Sequence, residues 1–135
     1  MANTLYDEAR RLFLEAGINW LTDDVKAILI DADSYTPNFT NHKYLSDLPS
    51  SSRVTSGQLL TGKETVGGAA DANDVTFSSV SGPSVEAVVL YVDTGSESTS
   101  TLIAWLDTAT GLPITPNGGD IIVTWDDGTN KIFRL

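Results

Sequence analysis

Val85-Glu86-Ala87-Val88-Val89-Leu90-Tyr91-Val92 is followed, across the polar stretch Asp93 to Ser100, by Leu102-Ile103-Ala104-Trp105-Leu106. Both runs are almost continuously apolar, short, and rich in β-branched or aromatic residues. That pattern belongs to strands buried on two faces rather than to half-exposed strands, which alternate. The eight residues from Asp93 to Ser100 then read as a loop joining two buried antiparallel strands. Both runs are central, so the rest of the chain must cover their sheet on both sides.

Working outward, Val25-Lys26-Ala27-Ile28-Leu29-Ile30 is a third mostly buried strand. Asp74 to Val80 alternates, with Val75 and Phe77 on one face, and Arg53 to Thr61 gives a weaker strand. Trp105 to Ile121 carries two prolines and the pair Gly118-Gly119, and reads as a rigid connection between strands. Ile121 to Trp125 and Lys131 to Leu135 flank Asp126-Asp127-Gly128-Thr129-Asn130, which predicts a hairpin with positive φ at Gly128. Near the start, Leu5, Ala9, Leu12, Phe13 and Ala16 recur at helical spacing. Thr4 and Asp7 suggest a capping box, Gly17 a stop, and together they predict a helix over 4–16. The expected fold is mainly β: a β-sandwich or partly open barrel of six to eight mostly antiparallel strands with one N-terminal α-helix.

The chain of 135 residues suits a single domain over 1–135, with the β-rich body in 57–135. Residues 31–56 shift to Ser, Asn, Asp, Thr and Pro, punctuated by Tyr35, Phe39, Tyr44, Leu45 and Leu48, a spacing that suggests a long loop pinned to the body. Long loops are uncommon unless they bind something, so this segment is the expected contact loop. Its five apolar residues, with Tyr6 from the helix region, are the candidate interface, since loop aromatics make good anchors.

Eight basic against 18 acidic residues give a net charge of −10. Such a surface repels phosphate backbones and anionic lipid, so neither nucleic acid nor membrane is an expected partner. There is no cysteine, which excludes disulfides, thiolate nucleophiles and cysteine-bound zinc. No apolar run reaches the roughly 20 residues of a spanning helix. Met1 to Glu8 lacks the features of a signal peptide, and the chain is expected to be soluble and made in the cytoplasm.

Asp93-Thr94-Gly95-Ser96 after an apolar strand matches the aspartic-protease fingerprint. That chemistry needs two carboxylates sharing a proton, and a flap. The 42 residues after Asp93 contain no credible flap, and Ile121-Ile122 leads to Val123 rather than Gly, so a plain loop is the better reading. The acidic pairs Asp23-Asp24, Asp31/Asp33, Asp71/Asp74 and Asp126-Asp127 lack calcium-loop spacing and suit turns and caps. His42 stands alone among many serines, and Gly67-Gly68 and Gly118-Gly119 lack the context of a phosphate loop. Trp20, Trp105 and Trp125 invite a sugar-stacking platform, but the last two lie within apolar strands. No catalytic residue, metal site or cofactor is expected, and the chain does not read as an enzyme.

Four pieces carry a resemblance: Asn19-Trp20-Leu21-Thr22-Asp23-Asp24-Val25-Lys26, Leu45-Ser46-Asp47-Leu48-Pro49, the Asp107 to Ile121 segment, and Asn130-Lys131-Ile132-Phe133-Arg134-Leu135. Over nearly its whole length the chain resembles small virion structural proteins of tailed bacteriophages. The resemblance implies a many-copy virion component made in the host bacterial cytoplasm, with capsid decoration (cementing) the commonest role. A tail, baseplate or fibre position, contributing to host attachment as a glycan-binding β-module, is the alternative. The implied partners are other copies of the chain, as a homotrimer, and the major capsid protein or other virion proteins.

Overall fold

The three apolar segments lie side by side in the computed structural model, which describes residues 3–109 and 111–135; Met1, Ala2 and Thr110 lie outside them. Ten short strands and one helix follow in the order β1 (Thr4–Leu5), α1 (Asp7–Leu14), β2 (Val25–Ile30), β3 (Gln58–Leu59), β4 (Glu64–Val66), β5 (Ala69–Asp71), β6 (Val75–Phe77), β7 (Ala87–Val92), β8 (Leu102–Leu106), β9 (Ile121–Val123) and β10 (Phe133–Arg134). All pairings between these strands are antiparallel. The main sheet runs β1-β8-β7-β2-β3, a second runs β10-β5-β4, and β6 pairs with β9. The fold is mainly β with one N-terminal helix, as the sequence implies, and no sheet closes into a barrel. The strands number more than the six to eight expected because β1, β4 and β5 are only two or three residues long.

Side chains of β7 alternate between two cores. Val88 and Leu90 face a larger cluster with Val25, Phe77, Ile103, Ile121, Trp125 and Phe133, so α1 and the two small sheets cover this side. Ala87, Val89 and Tyr91 face a second cluster with Tyr6, Ile28, Tyr35, Leu45, Leu48 and Trp105. Double burial explains why β7 and β8 carry apolar residues at both parities.

The helix starts later than its periodicity suggests. Thr4 and Leu5 extend along Trp105 and Ala104 of β8 as β1. Tyr6 becomes the N-cap without a side-chain capping bond, and the Thr4–Asp7 capping box does not form. At the other end Ala16, at φ 61°, takes the left-handed conformation expected of Gly17. At Gly17 a Cβ would lie 2.8 Å from Leu12 Cδ2, so a larger residue there would have to push the end of the Leu12 side chain aside.

The predicted 121–135 hairpin is also corrected. β9 pairs with β6 and β10 with β5, so 121–134 runs back along 69–77 instead of along itself. Four residues separate Ala70 from Val75 and nine separate Val123 from Phe133; the excess loops out at Asp126 to Asn130. Trp125 fixes this arrangement, its indole donating to the Asn73 carbonyl at 2.9 Å. Gly128 does not take positive φ. The tight two-residue hairpin turn lies elsewhere, at Gly67-Gly68 between β4 and β5, with φ of 56° and 89°.

Candidate interaction surface

The 31–56 segment is not a free arm. Asp31 donates its amide to the Ser52 carbonyl, Leu45 to Ser100 and Ser46 to Glu97, while Leu102 donates to Lys43 and Asp7 to Phe39, all at 2.8–3.1 Å. Arg53 then fastens it: Nη2 donates to the carbonyls of Leu45 and Leu48 and to Glu97 Oε1, each at 2.8 Å. Within the segment, Asp47 Oδ2 accepts the amides of Lys43 and Tyr44. Burial alone would raise the Asp47 carboxyl, but those two amides outweigh it and hold it below its usual value.

The candidate interface residues therefore divide. Tyr6, Tyr35, Leu45 and Leu48 are buried at 0, 5, 7 and 1 % exposure, inside the second core. They cover the sheet face that β7 and β8 present, and so cannot serve as exposed anchors while the segment is seated. Phe39 and Tyr44 are half-buried. Phe39 packs edge-on against Tyr6 at 5.1 Å, and Tyr44 bridges to Thr101. Each keeps part of its ring exposed.

The Tyr6 hydroxyl meets that of Tyr35 at 2.9 Å, and the Tyr35 hydroxyl meets His42 Nδ1 at 2.9 Å. The Asn38 amide also donates to His42 Nδ1, so that nitrogen is the acceptor and Tyr35 donates to it. His42 is thus a structural end-point for a buried hydroxyl chain. Asp93 is equally occupied: its carboxylate holds Lys26 Nζ at 2.9 Å and the Gly95 amide at 3.0 Å. The Lys26 ammonium first, and that amide second, keep its carboxyl below the usual range. A carboxylate paired with lysine is the opposite of one sharing a proton with a second carboxylate. Trp20, Trp105 and Trp125 are all buried, so they form no exposed stacking platform. Among the described residues no group of three or more His, Cys, Asp or Glu is placed to hold a metal ion.

Open surface lies at the sheet edges. Between β1 and β10 runs a groove of about 760 Å³, lined in part by Leu5, Arg10, Asp126, Lys131, Ile132 and Arg134. Three of the chain's eight basic residues gather there beside one acid. A smaller hollow of about 380 Å³ lies beside Tyr35, Glu86, Trp105 and Pro113, where Glu86 Oε1 already accepts the Ala32 amide at 2.8 Å. Exposed large apolar side chains include Leu14, Leu59, Val66, Ile122 and Leu135. Sequence reasoning missed the basic groove because Arg10, Lys131 and Arg134 come from opposite ends of the chain.

No family model matches the sequence, and no curated protein matches it. Among the described residues no helix is long and apolar enough to cross a membrane.

Proposed function

We propose that this chain is a structural component of a tailed-bacteriophage virion, a decoration protein that cements the head shell as a homotrimer and carries out no chemistry. The observation that supports this reading is the use of residues 31–56: they seal the second face of the main sheet. The subunit becomes one stiff block whose offered features are strand edges, scattered apolar side chains and a basic groove on an acidic body. Such a block adheres by buried interface, and many copies on a lattice make modest contacts sufficient. A tail, baseplate or fibre position is the alternative, but its glycan-stacking version loses the three tryptophans to the core.

The test is genetic and physical. Phage particles made without this chain should assemble, package and then release DNA at lower temperature than complete particles, with the purified protein restoring the loss. Particles of unchanged heat stability, or complete particles that contain none of the chain, would overturn the reading.

A further inference from the structure

The main sheet ends at β1 and the second sheet at β10, and residues of both strands line the basic groove between them. Tyr6 donates its amide to the Ile103 carbonyl at 2.9 Å, in register with the β1–β8 ladder. Bonded and non-bonded pairs alternate in an antiparallel ladder. The adjacent pair Leu5–Ala104 is therefore non-bonded, and the peptide groups of Leu5 point away from β8. On the other wall, Leu135 donates its amide to the Gly68 carbonyl at 3.1 Å. That makes Arg134–Ala69 the non-bonded pair and turns the Arg134 peptide groups away from β5. Neither the Leu5 amide nor the Arg134 amide meets an acceptor among the described residues. The Leu5 carbonyl has one long contact, 3.4 Å from Arg10 Nε. Edges with unpaired backbone groups are where an extended peptide adds a strand.

The two edges also agree on how a guest's side chains must face. Opposed residues of neighbouring strands keep their side chains on one face of a sheet. Leu5 belongs to the larger core, whereas Arg134 is exposed and its neighbour Phe133 fills that core. Successive residues of an extended guest alternate in both side-chain face and peptide direction. The guest residue that pairs with Leu5 therefore turns inward, and the next, pairing with Arg134, turns outward. Charge sets the outward residue. The groove lining carries Arg10, Lys131 and Arg134 against Asp126, and Lys131 also has Asp71 4.0 Å away. Arg10 and Arg134 form no ion pair among the described residues. A guest carboxylate beside Arg134 supplies the missing partner. At about 160 Å³ per residue of a packed sheet, the groove of about 760 Å³ has room for roughly four or five.

We infer that the groove between β1 and β10 takes an extended segment of a partner protein in which apolar and acidic residues alternate, an apolar one beside Leu5 and an acidic one beside Arg134. The added strand joins the main sheet and the second sheet into one. This site stands apart from the virion reading, since any partner that presents such a segment fills it.

The probe is a blocked peptide of alternating valine and glutamate, about seven residues long, with valine at both ends. Its pattern reads the same in both directions, so either orientation can set a valine beside Leu5 and a glutamate beside Arg134. Titration of the native chain followed by NMR should show saturable binding of one peptide per chain. Hydrogen exchange of the Leu5 and Arg134 amides should slow at least about tenfold in the complex. The same peptide with lysine in place of glutamate should bind at least about tenfold more weakly. Arg134→Pro removes the groove-facing amide, leaves the Leu135–Gly68 bond in place, and should abolish binding with circular dichroism unchanged. Arg134→Glu, which keeps the backbone donor, should weaken binding at least about tenfold. A titration without saturation up to about 1 mM peptide overturns the inference. So does binding that leaves either amide exchanging as before. Protection of both amides in the free protein that grows with its own concentration would place a second copy in the groove, and overturns it too. None of these results touches the virion reading, which falls only if the chain is missing from particles or leaves their stability unchanged.

Discussion

The hydroxyl oxygens of Tyr6 and Tyr35 lie 2.9 Å apart in the second core, linking the start of the helix to the segment that covers the sheet. The direction of this bond has consequences. His42 Nδ1 accepts, Tyr35 donates to it, and Tyr6 donates to Tyr35. Tyr6→Phe leaves Tyr35 still bonded to His42 and should cost about 1 kcal/mol. Tyr35→Phe strands a buried Tyr6 hydroxyl without its acceptor and should cost about 1–3 kcal/mol. Urea denaturation of the two variants checks the order; a larger loss for Tyr6→Phe would reverse the assigned direction.

Burial also sets how the protein responds to alkali. It raises the Tyr6 and Tyr91 phenols and pushes Tyr35 up to about 12, from an ordinary value of 10.0. An acid whose pKa is higher when folded keeps its proton longer in the native state. Its stabilising contribution is complete below pH 10.0 and drains away as pH rises towards 12 and beyond. Phenolate absorbance from these three tyrosines should therefore appear together with loss of circular dichroism. Ionisation of all of them ahead of unfolding would contradict their burial.

The covering segment is part of the core, so its leucines should behave as core residues. Leu48→Ala, at a site 1 % exposed, should lose about 2–5 kcal/mol. Leu14→Ala, at a helix position 89 % exposed, should stay within about 0.5 kcal/mol of the native protein. Equal, small effects in chemical denaturation would mean that residues 31–56 are not seated.

Gly57 is demanded by space, because a Cβ there would lie 2.0 Å from the Tyr91 hydroxyl oxygen and 3.0 Å from Cζ. Gly57→Ala should destabilise by about 1–3 kcal/mol. Adding Tyr91→Phe removes the nearest atom and should recover part of the loss, a coupling that a double-mutant cycle reads directly.

Asp93→Asn tests the protease-like fingerprint through stability. The native carboxylate, held low by Lys26 and the Gly95 amide, contributes above its unfolded value of 3.8 and loses that contribution as pH falls through its lower folded value. The variant should be less stable by under about 1 kcal/mol at neutral pH. The gap should close in acid.

Sequence and structure agree most closely where burial is doubled. Leu102–Leu106 and Val25–Ile30 are strands over the expected residues, and only the first two residues of the Val85–Val92 run fall outside β7. A continuous apolar run needs no knowledge of its partner to be read as a central strand. Pairing is different. Ile121 to Trp125 and Lys131 to Leu135 looked like each other's partners because their turn is local, but Trp125 and Phe133 find Asn73 and Ala70, more than 50 residues away. The spaced apolar residues of the covering segment predict a long loop pinned to the body, and Tyr35, Leu45 and Leu48 are the contacts by which it grips the sheet. The Val66-Gly67-Gly68-Ala69 turn was the available signal for β4 and β5. No local signal foretold a groove built from Arg10, Lys131 and Arg134.

The most direct measurement is a cryo-EM reconstruction of the intact virion at side-chain resolution. The account predicts this fold in many copies on the outer head shell, as trimers. Finding the fold only in the tail, or nowhere in the particle, would contradict it.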